Sequence, residues 1–379
     1  MISRRQILQA GSVLAALSAG GAATGALGAT ALPGGDDASS SSRAAARKTL
    51  LILGGTGFIG PYLTQEALRQ GWTVTHFNRG KREPAGVSRV ETLIGDRNGQ
   101  LDALRGRRWD AAIDDSGYVP KFVRMSSELL APNVGHYVFV SSISAYASFA
   151  KPNDENSPTA KLDDPDEEKV TNDTYGPMKA ACEQRVRDAF GTRASIVRPG
   201  YIVGPNDPTD RFTYWPVRAS RGGEMLAPGT PRDPIQIIDA RDLTAWMLGL
   251  AQKRVAGNFN GLTAPGALTM GDLIAASQSA SPGAGTGVTW VPEDFLARTW
   301  KPEDLDLPPW SPMKGETAGA SLNANKRSVA TGLKCRPLTE TVHDTLTWFQ
   351  ALPPDRQAKL RAGLDPQKEA EMLAAWHRA

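Results

Sequence analysis

Thr49-Leu50-Leu51-Ile52-Leu53, followed at once by Gly54-Gly55-Thr56-Gly57-Phe58-Ile59-Gly60, constrains this chain more than any other stretch. An apolar run, a glycine turn and an amphipathic segment over 62–70 read as strand, loop and helix in that order. Gly71 stops the helix, and Thr73-Val74-Thr75-His76-Phe77 supplies a second strand, which completes a βαβ unit. The glycines of such a loop allow a tight turn, a backbone bare enough to approach a pyrophosphate, and close packing of helix on strand, with the phosphates at the helix N-terminus. On this reading Gly54, Thr56, Gly57, Phe58, Ile59 and Gly60 form a dinucleotide cradle; the competing reading is a glycine-rich turn of some other α/β protein.

Further strands are expected over 90–94, 111–113 and 137–140, with helical stretches between them, so the fold class is α/β, a Rossmann-like doubly wound parallel sheet. Where an NAD-binding chain usually places an acid at the end of the second strand, this one has Asn78-Arg79-Gly80-Lys81-Arg82. A guanidinium suits a ribose 2′-phosphate by charge and by bidentate geometry, which favours NADP(H) over NAD(H), with NAD(H) left open. The plainer alternative is a set of solvated loop charges. Asp96, just past a strand, is placed to meet the adenine or to cap the next turn.

The remaining composition excludes several classes. A formal charge of +3 over 379 residues, without a dense basic run, gives no electrostatic case for nucleic acid. Two cysteines, Cys182 and Cys335, and four scattered histidines provide no metal-ligand spacing, and no disulfide between the two cysteines is expected. The first 31 residues contain no acid, and Ser3-Arg4-Arg5-Gln6-Ile7-Leu8 before a weakly apolar Ala/Gly stretch resembles a twin-arginine export signal. Ala29-Thr30-Ala31 offers a small-x-small cleavage site, and the glycines and hydroxyls argue against an uncleaved membrane anchor. The expected order is a signal peptide over 1–31, a flexible linker over 32–47, a nucleotide-binding domain over 48–200, a smaller C-terminal α/β substrate lobe over 201–350 interleaved with it, and a helical surface tail over 351–379. The export machinery is one implied partner, and the expected location is periplasmic or extracytoplasmic.

Ser141-Ser142 follows the strand ending at Val140, and 33 residues after Ser142 stands Tyr175-Gly176-Pro177-Met178-Lys179. Tyr and Lys at i and i+4 share a helix face, where an ammonium can lower a phenol's pKa towards neutrality and a serine hydroxyl can fix the phenolic oxygen. The competing reading of the pair alone is a surface contact. Arg211 and Tyr214, in Asp210-Arg211-Phe212-Thr213-Tyr214-Trp215, combine charge with flat aromatic surface and are candidate substrate contacts, against the alternative that the aromatics pack the lobe.

Taken in order, the glycine loop, Val140-Ser141-Ser142, Tyr175-Gly176-Pro177-Met178-Lys179 and Val197-Arg198-Pro199-Gly200 resemble the NAD-dependent epimerase/dehydratase family, the extended short-chain dehydrogenase/reductases, over about residues 48–350. The resemblance implies Ser142, Tyr175 and Lys179 as the catalytic triad, Lys179 also on the nicotinamide ribose, and Pro199 bordering the nicotinamide. It also implies a strand-to-helix segment at Ile237-Ile238-Asp239-Ala240-Arg241 near the substrate, and a homodimer through helices flanking the sheet. Ile143 and Ser144 stand where the family's 4,6-dehydratases carry an acidic pair, so water elimination is not expected. The function expected is an NAD(P)-dependent epimerase or oxidoreductase acting on a secondary alcohol or ketone of a sugar-like small molecule. The alternatives are a non-catalytic or regulatory dinucleotide-binding protein and an NADPH-dependent carbonyl reductase.

Overall fold

The computed structural model describes residues 47–82, 87, 90–301 and 307–379. The expected export signal, and the linker except for its last residue, lie outside them. Seven strands build the central sheet: β1 (Thr49–Leu53), β2 (Thr73–Asn78), β3 (Glu91–Ile94), β4 (Trp109–Asp114), β5 (Val134–Val140), β6 (Ala194–Pro199) and, after a long excursion, Gly257–Gly261. Their order is Gly257–Gly261, β6, β5, β4, β1, β2, β3, and every neighbouring pair is parallel. The chain therefore reverses its direction of travel between β1 and β4, the switch point at which such sheets bind ligands beyond their carboxyl ends.

Helices cover both faces, which is why β1 reads as unbroken apolar sequence. Leu50 and Ile52 point to one face and pack with Leu63 and Ala67 of α1 (Gly60–Arg69). Leu51 and Leu53 point to the other, towards Val123 of α2 (Pro120–Leu130) and Cys182 and Val186 of α3 (Asn172–Phe190). All four side chains are fully buried, each worth roughly 1.5–3 kcal/mol relative to exposure. The first face is completed by Leu243 and Met247 of the helix Ala240–Lys253, so the central sheet and its cover draw on residues well past 200.

A second core gathers Phe212, Trp215, Met225, Met270 and Leu273 into the smaller lobe. The C-terminal segment, expected as a surface tail, is part of this lobe. Met372 and Leu373 enter its core, and buried Glu369 accepts a hydrogen bond from Arg218 Nε at 2.5 Å and another from Leu226 N at 3.0 Å. The helix Pro366–His377 turns Glu369, Met372 and Leu373 inward. Among the described residues no helix is long and apolar enough to cross a membrane, and both cysteines are free.

Candidate active site

The glycine loop leaves β1 at the switch point and turns into α1. Gly54 (φ +114°) and Gly55 (φ +80°) occupy backbone conformations that L side chains rarely adopt. A Cβ on Gly60 would lie 2.3 Å from the Gly55 carbonyl carbon, so this glycine lets helix and loop touch. Gly57 differs: it is exposed, and a Cβ there would meet nothing within 4 Å. Bare backbone facing open space beside a helix N-terminus is the surface a pyrophosphate needs, and the loop therefore fits a dinucleotide. Thr56 and Phe58 flank that space, whereas Ile59 turns its side chain into the core, 6% exposed, and can offer a ligand only its backbone. His76 supports the loop from below, its Nε2 2.8 Å from Thr64 Oγ1, and burial lowers its pKa to about 4.

At the end of β2, Asn78 braces the loop, donating from Nδ2 to Gly54 O at 3.4 Å and accepting from Gly80 N at 2.8 Å. Arg79 beside it is exposed and hydrogen-bonds no described residue. Asp96 takes the capping alternative: its Oδ1 accepts from Asn98 N at 3.0 Å and closes the turn after β3.

Ser142 follows β5, where its Oγ accepts from Ser144 N at 3.1 Å and caps a short turn. A Thr171–Thr174 capping box starts α3, which carries Tyr175 and Lys179 one turn apart. All three side chains are buried, with the Ser142 hydroxyl beside the Tyr175 phenol. Lys179 Nζ donates to Val140 O at 2.6 Å and Gly117 O at 2.7 Å. The balance at the phenol differs from the sequence expectation. Burial raises the Tyr175 pKa above its ordinary value, opposed by the neighbouring Ser142 hydroxyl and the charge of Arg211, because the Lys179 ammonium is drawn to the two carbonyls. Burial also lowers the Lys179 pKa.

Of the two lobe residues, the structure brings only Arg211 to this site. Its guanidinium lies 5.3 Å from the centre of the Tyr201 ring, and its Nε donates to Thr209 Oγ1 at 3.1 Å. Tyr214 is corrected: it is 1% exposed, packs edge-on against Trp215 at 5.1 Å and leaves no room for a Cβ on Gly363, so it is lobe core. Pro199 ends β6 and is buried.

The sequence reading missed Asp115 and Tyr118. Asp115 accepts from Gly55 N at 3.3 Å, and burial together with the charge of Asp114 pushes its pKa up to about 7. Tyr118 lies beside Tyr175, ring centres 6.4 Å apart. Asp114-Asp115-Ser116-Gly117-Tyr118 leaves the strand that pairs with β1, at the switch point, and it is that pairing which brings the two residues to the site. Among the described residues no three His, Cys, Asp or Glu side chains cluster as a metal ion would require.

Comparison with known proteins agrees with this geometry. The NAD dependent epimerase/dehydratase family matches residues 50–124, and a family described as male sterility protein, an NAD-binding group, matches residues 122–239. Among solved structures, a UDP-glucose 4-epimerase is 15% identical and superposes with a TM-score of 0.59 over 81% of this chain and 98% of its own. MoeE5 in complex with UDP-glucose and NAD is 17% identical, TM-score 0.54, over 80% of this chain and 98% of its own. The human epimerase family protein SDR39U1 with NADPH is 20% identical, TM-score 0.53, over 79% and 99%. No curated protein matches by sequence. At these identities the solved structures establish the fold alone, and each family model matches less than half of the chain, the epimerase/dehydratase one over the first strands of the central sheet.

Proposed function

We propose that the protein is an NAD(P)-dependent epimerase or oxidoreductase acting at a secondary alcohol or ketone of a small, sugar-like molecule, with Tyr175 handling the proton. The observation that carries this reading is the grouping of Ser142, Tyr175 and Lys179, all buried, at the carboxyl end of the sheet that also carries the open glycine loop. A bound nicotinamide supplies or accepts the hydride. The chain's own residues manage everything else. A phenol held above its ordinary pKa is protonated at neutral pH and ready to donate to a carbonyl oxygen, and Ser142 and Arg211 stabilise the phenolate it leaves. Lys179, fixed on two carbonyls, keeps a positive charge at the floor of the site.

The cofactor is a nicotinamide dinucleotide, and exposed Arg79 with no acid at its position favours NADP(H). Neighbours named for or solved with UDP-glucose support a sugar-like substrate, while the twin-arginine pattern supports an exported location where nucleotide-linked sugars are scarce. Such a location favours redox-neutral chemistry, epimerisation or a paired oxidoreduction, because the cofactor carried in the folded chain is then restored each cycle.

The test is to release and identify the nucleotide from purified protein, then to assay secondary alcohols and ketones with wild type and Tyr175→Phe. Loss of about 10²–10⁴ in rate with nucleotide binding intact supports the assignment. Full activity in Tyr175→Phe, or no binding of either dinucleotide, overturns it.

A further inference from the structure

The loop 115–119 between β4 and α2 holds both halves of the site. At its start Asp115 grips the Gly55 amide, and two residues later the Gly117 carbonyl takes a hydrogen bond from Lys179. Gly117 has no alternative residue, since a Cβ there would sit 2.5 Å from the Phe139 ring. Tyr118 follows, 37% exposed in a constellation whose other members, Ser142, Tyr175 and Lys179, are all buried. Its ring centre lies 5.0 Å from Lys179 Nζ, and the Phe139 ring lies 4.6 Å from the same atom.

We propose that Tyr118 is a positioning residue of this site, its ring holding the Lys179 ammonium charged and in place between the strand ends and the substrate opening. This rests on the site assigned above. An ammonium has three donors, and the Val140 and Gly117 carbonyls occupy two. Burial still penalises the charge. A third acceptor would relieve that penalty but would consume the last donor, whereas a ring face attracts the cation and leaves the donor for a ligand. Phe139 is fixed in the sheet core, so Tyr118 is the member of the ring pair that faces solvent and meets whatever enters. The other charges acting on Lys179, from Cys182, Asp114, Glu183, Arg97 and Asp115, belong to other elements or to the loop's first residue and are untouched by a change at Tyr118.

The experiment titrates Lys179 in the full protein by NMR of ¹³Cε-labelled lysine, the resonance assigned by its disappearance in Lys179→Arg. Tyr118→Leu, and Tyr118→Met as a second ring-free variant, are expected to lower the apparent Lys179 pKa by about 0.5 unit or more. Tyr118→Phe keeps the ring and is expected to retain the wild-type value. An unchanged value in the folded ring-free variants overturns the proposal, as does an equal drop in Tyr118→Phe, which would assign the effect to the hydroxyl. The titration requires no turnover, so its failure is distinct from that of the proposed activity, which Tyr175→Phe decides.

Discussion

Arg198 and Glu183 form a two-pronged ion pair inside the protein, Nε donating at 2.8 Å and Nη2 at 2.6 Å, with side chains 2% and 0% exposed. Arg198 is the last residue of β6 before Pro199, and Glu183 stands one turn beyond Lys179 on α3. The pair therefore sets the angle between the strand that borders the site and the helix that carries Tyr175. Ser141 Oγ donates to the same carboxylate at 2.6 Å, and Arg187 Nη2 at 2.8 Å; burial pushes the carboxyl pKa up, but Arg198 above all, with Ser141 and Arg187, holds it below the ordinary value. Glu183→Gln strands a buried guanidinium and is expected to cost about 3–5 kcal/mol, while Glu183→Gln with Arg198→Met costs less than the two single changes summed. Denaturant unfolding of the single and double variants checks both statements.

On the proposed preference for NADP(H), Arg79 is the residue placed to meet the ribose 2′-phosphate. It is exposed and bonds no described residue, so its removal is expected to leave stability within about 0.5 kcal/mol. Arg79→Ser is expected to weaken NADP binding by about tenfold or more, the loss of one charge-assisted contact, and to leave NAD binding nearly unchanged. Calorimetric titration with each dinucleotide decides this, and equal weakening of both would remove Arg79 from the phosphate site.

Acid acts on this fold through groups of opposite sign. His76 and His136 are buried neutral, their pKa lowered to about 4, so each contributes stability that is present above about 6.5 and lost as pH falls towards 4. Asp115 is raised to about 7, so its contribution is fully present below about 3.8 and is lost as pH rises to 7. Each proton changes the slope by at most about 1.4 kcal/mol per pH unit. His136→Gln is therefore expected to flatten the acid loss and Asp115→Asn to steepen it, as read from unfolding midpoints at several pH values in this range.

The order of the N-terminal half was legible because its central strands are buried on both faces and therefore spell themselves out as apolar runs, as at Leu50–Leu53. The candidates Ser142, Tyr175 and Lys179 could be picked out for a related reason: they sit at fixed offsets from one strand and along one helix. Tyr214 misled because an aromatic beside charged residues has the same spelling in a lobe core and at a ligand surface, and only its contact with Gly363 separates the two. The Tyr175 pKa misled because Tyr-x-x-x-Lys spacing fixes two Cα positions but not where a long ammonium stem ends, and here it ends on carbonyls supplied by two other segments. Tyr118 and Asp115 required knowing that β4 lies beside β1, a relation between segments 60 residues apart that no local pattern records.

Two glycines of the loop separate fold from function. At Gly60 a Cβ would strike the Gly55 backbone at 2.3 Å, where nothing flexible can yield, so Gly60→Ala is expected to destabilise the protein by about 1–3 kcal/mol through forced overpacking. At Gly57 φ lies outside the left-handed region and a Cβ would meet no protein atom within 4 Å, so Gly57→Ala is expected to fold with wild-type stability to within about 0.5 kcal/mol. The added methyl would occupy the space a pyrophosphate enters, and dinucleotide affinity is expected to fall by about tenfold or more, the cost of displacing one or two charge-assisted contacts to backbone amides. Unfolding and binding measured on the same two variants would thus move in opposite columns. A Gly57→Ala protein that keeps full affinity would mean that the cofactor does not lie against the open face of this loop.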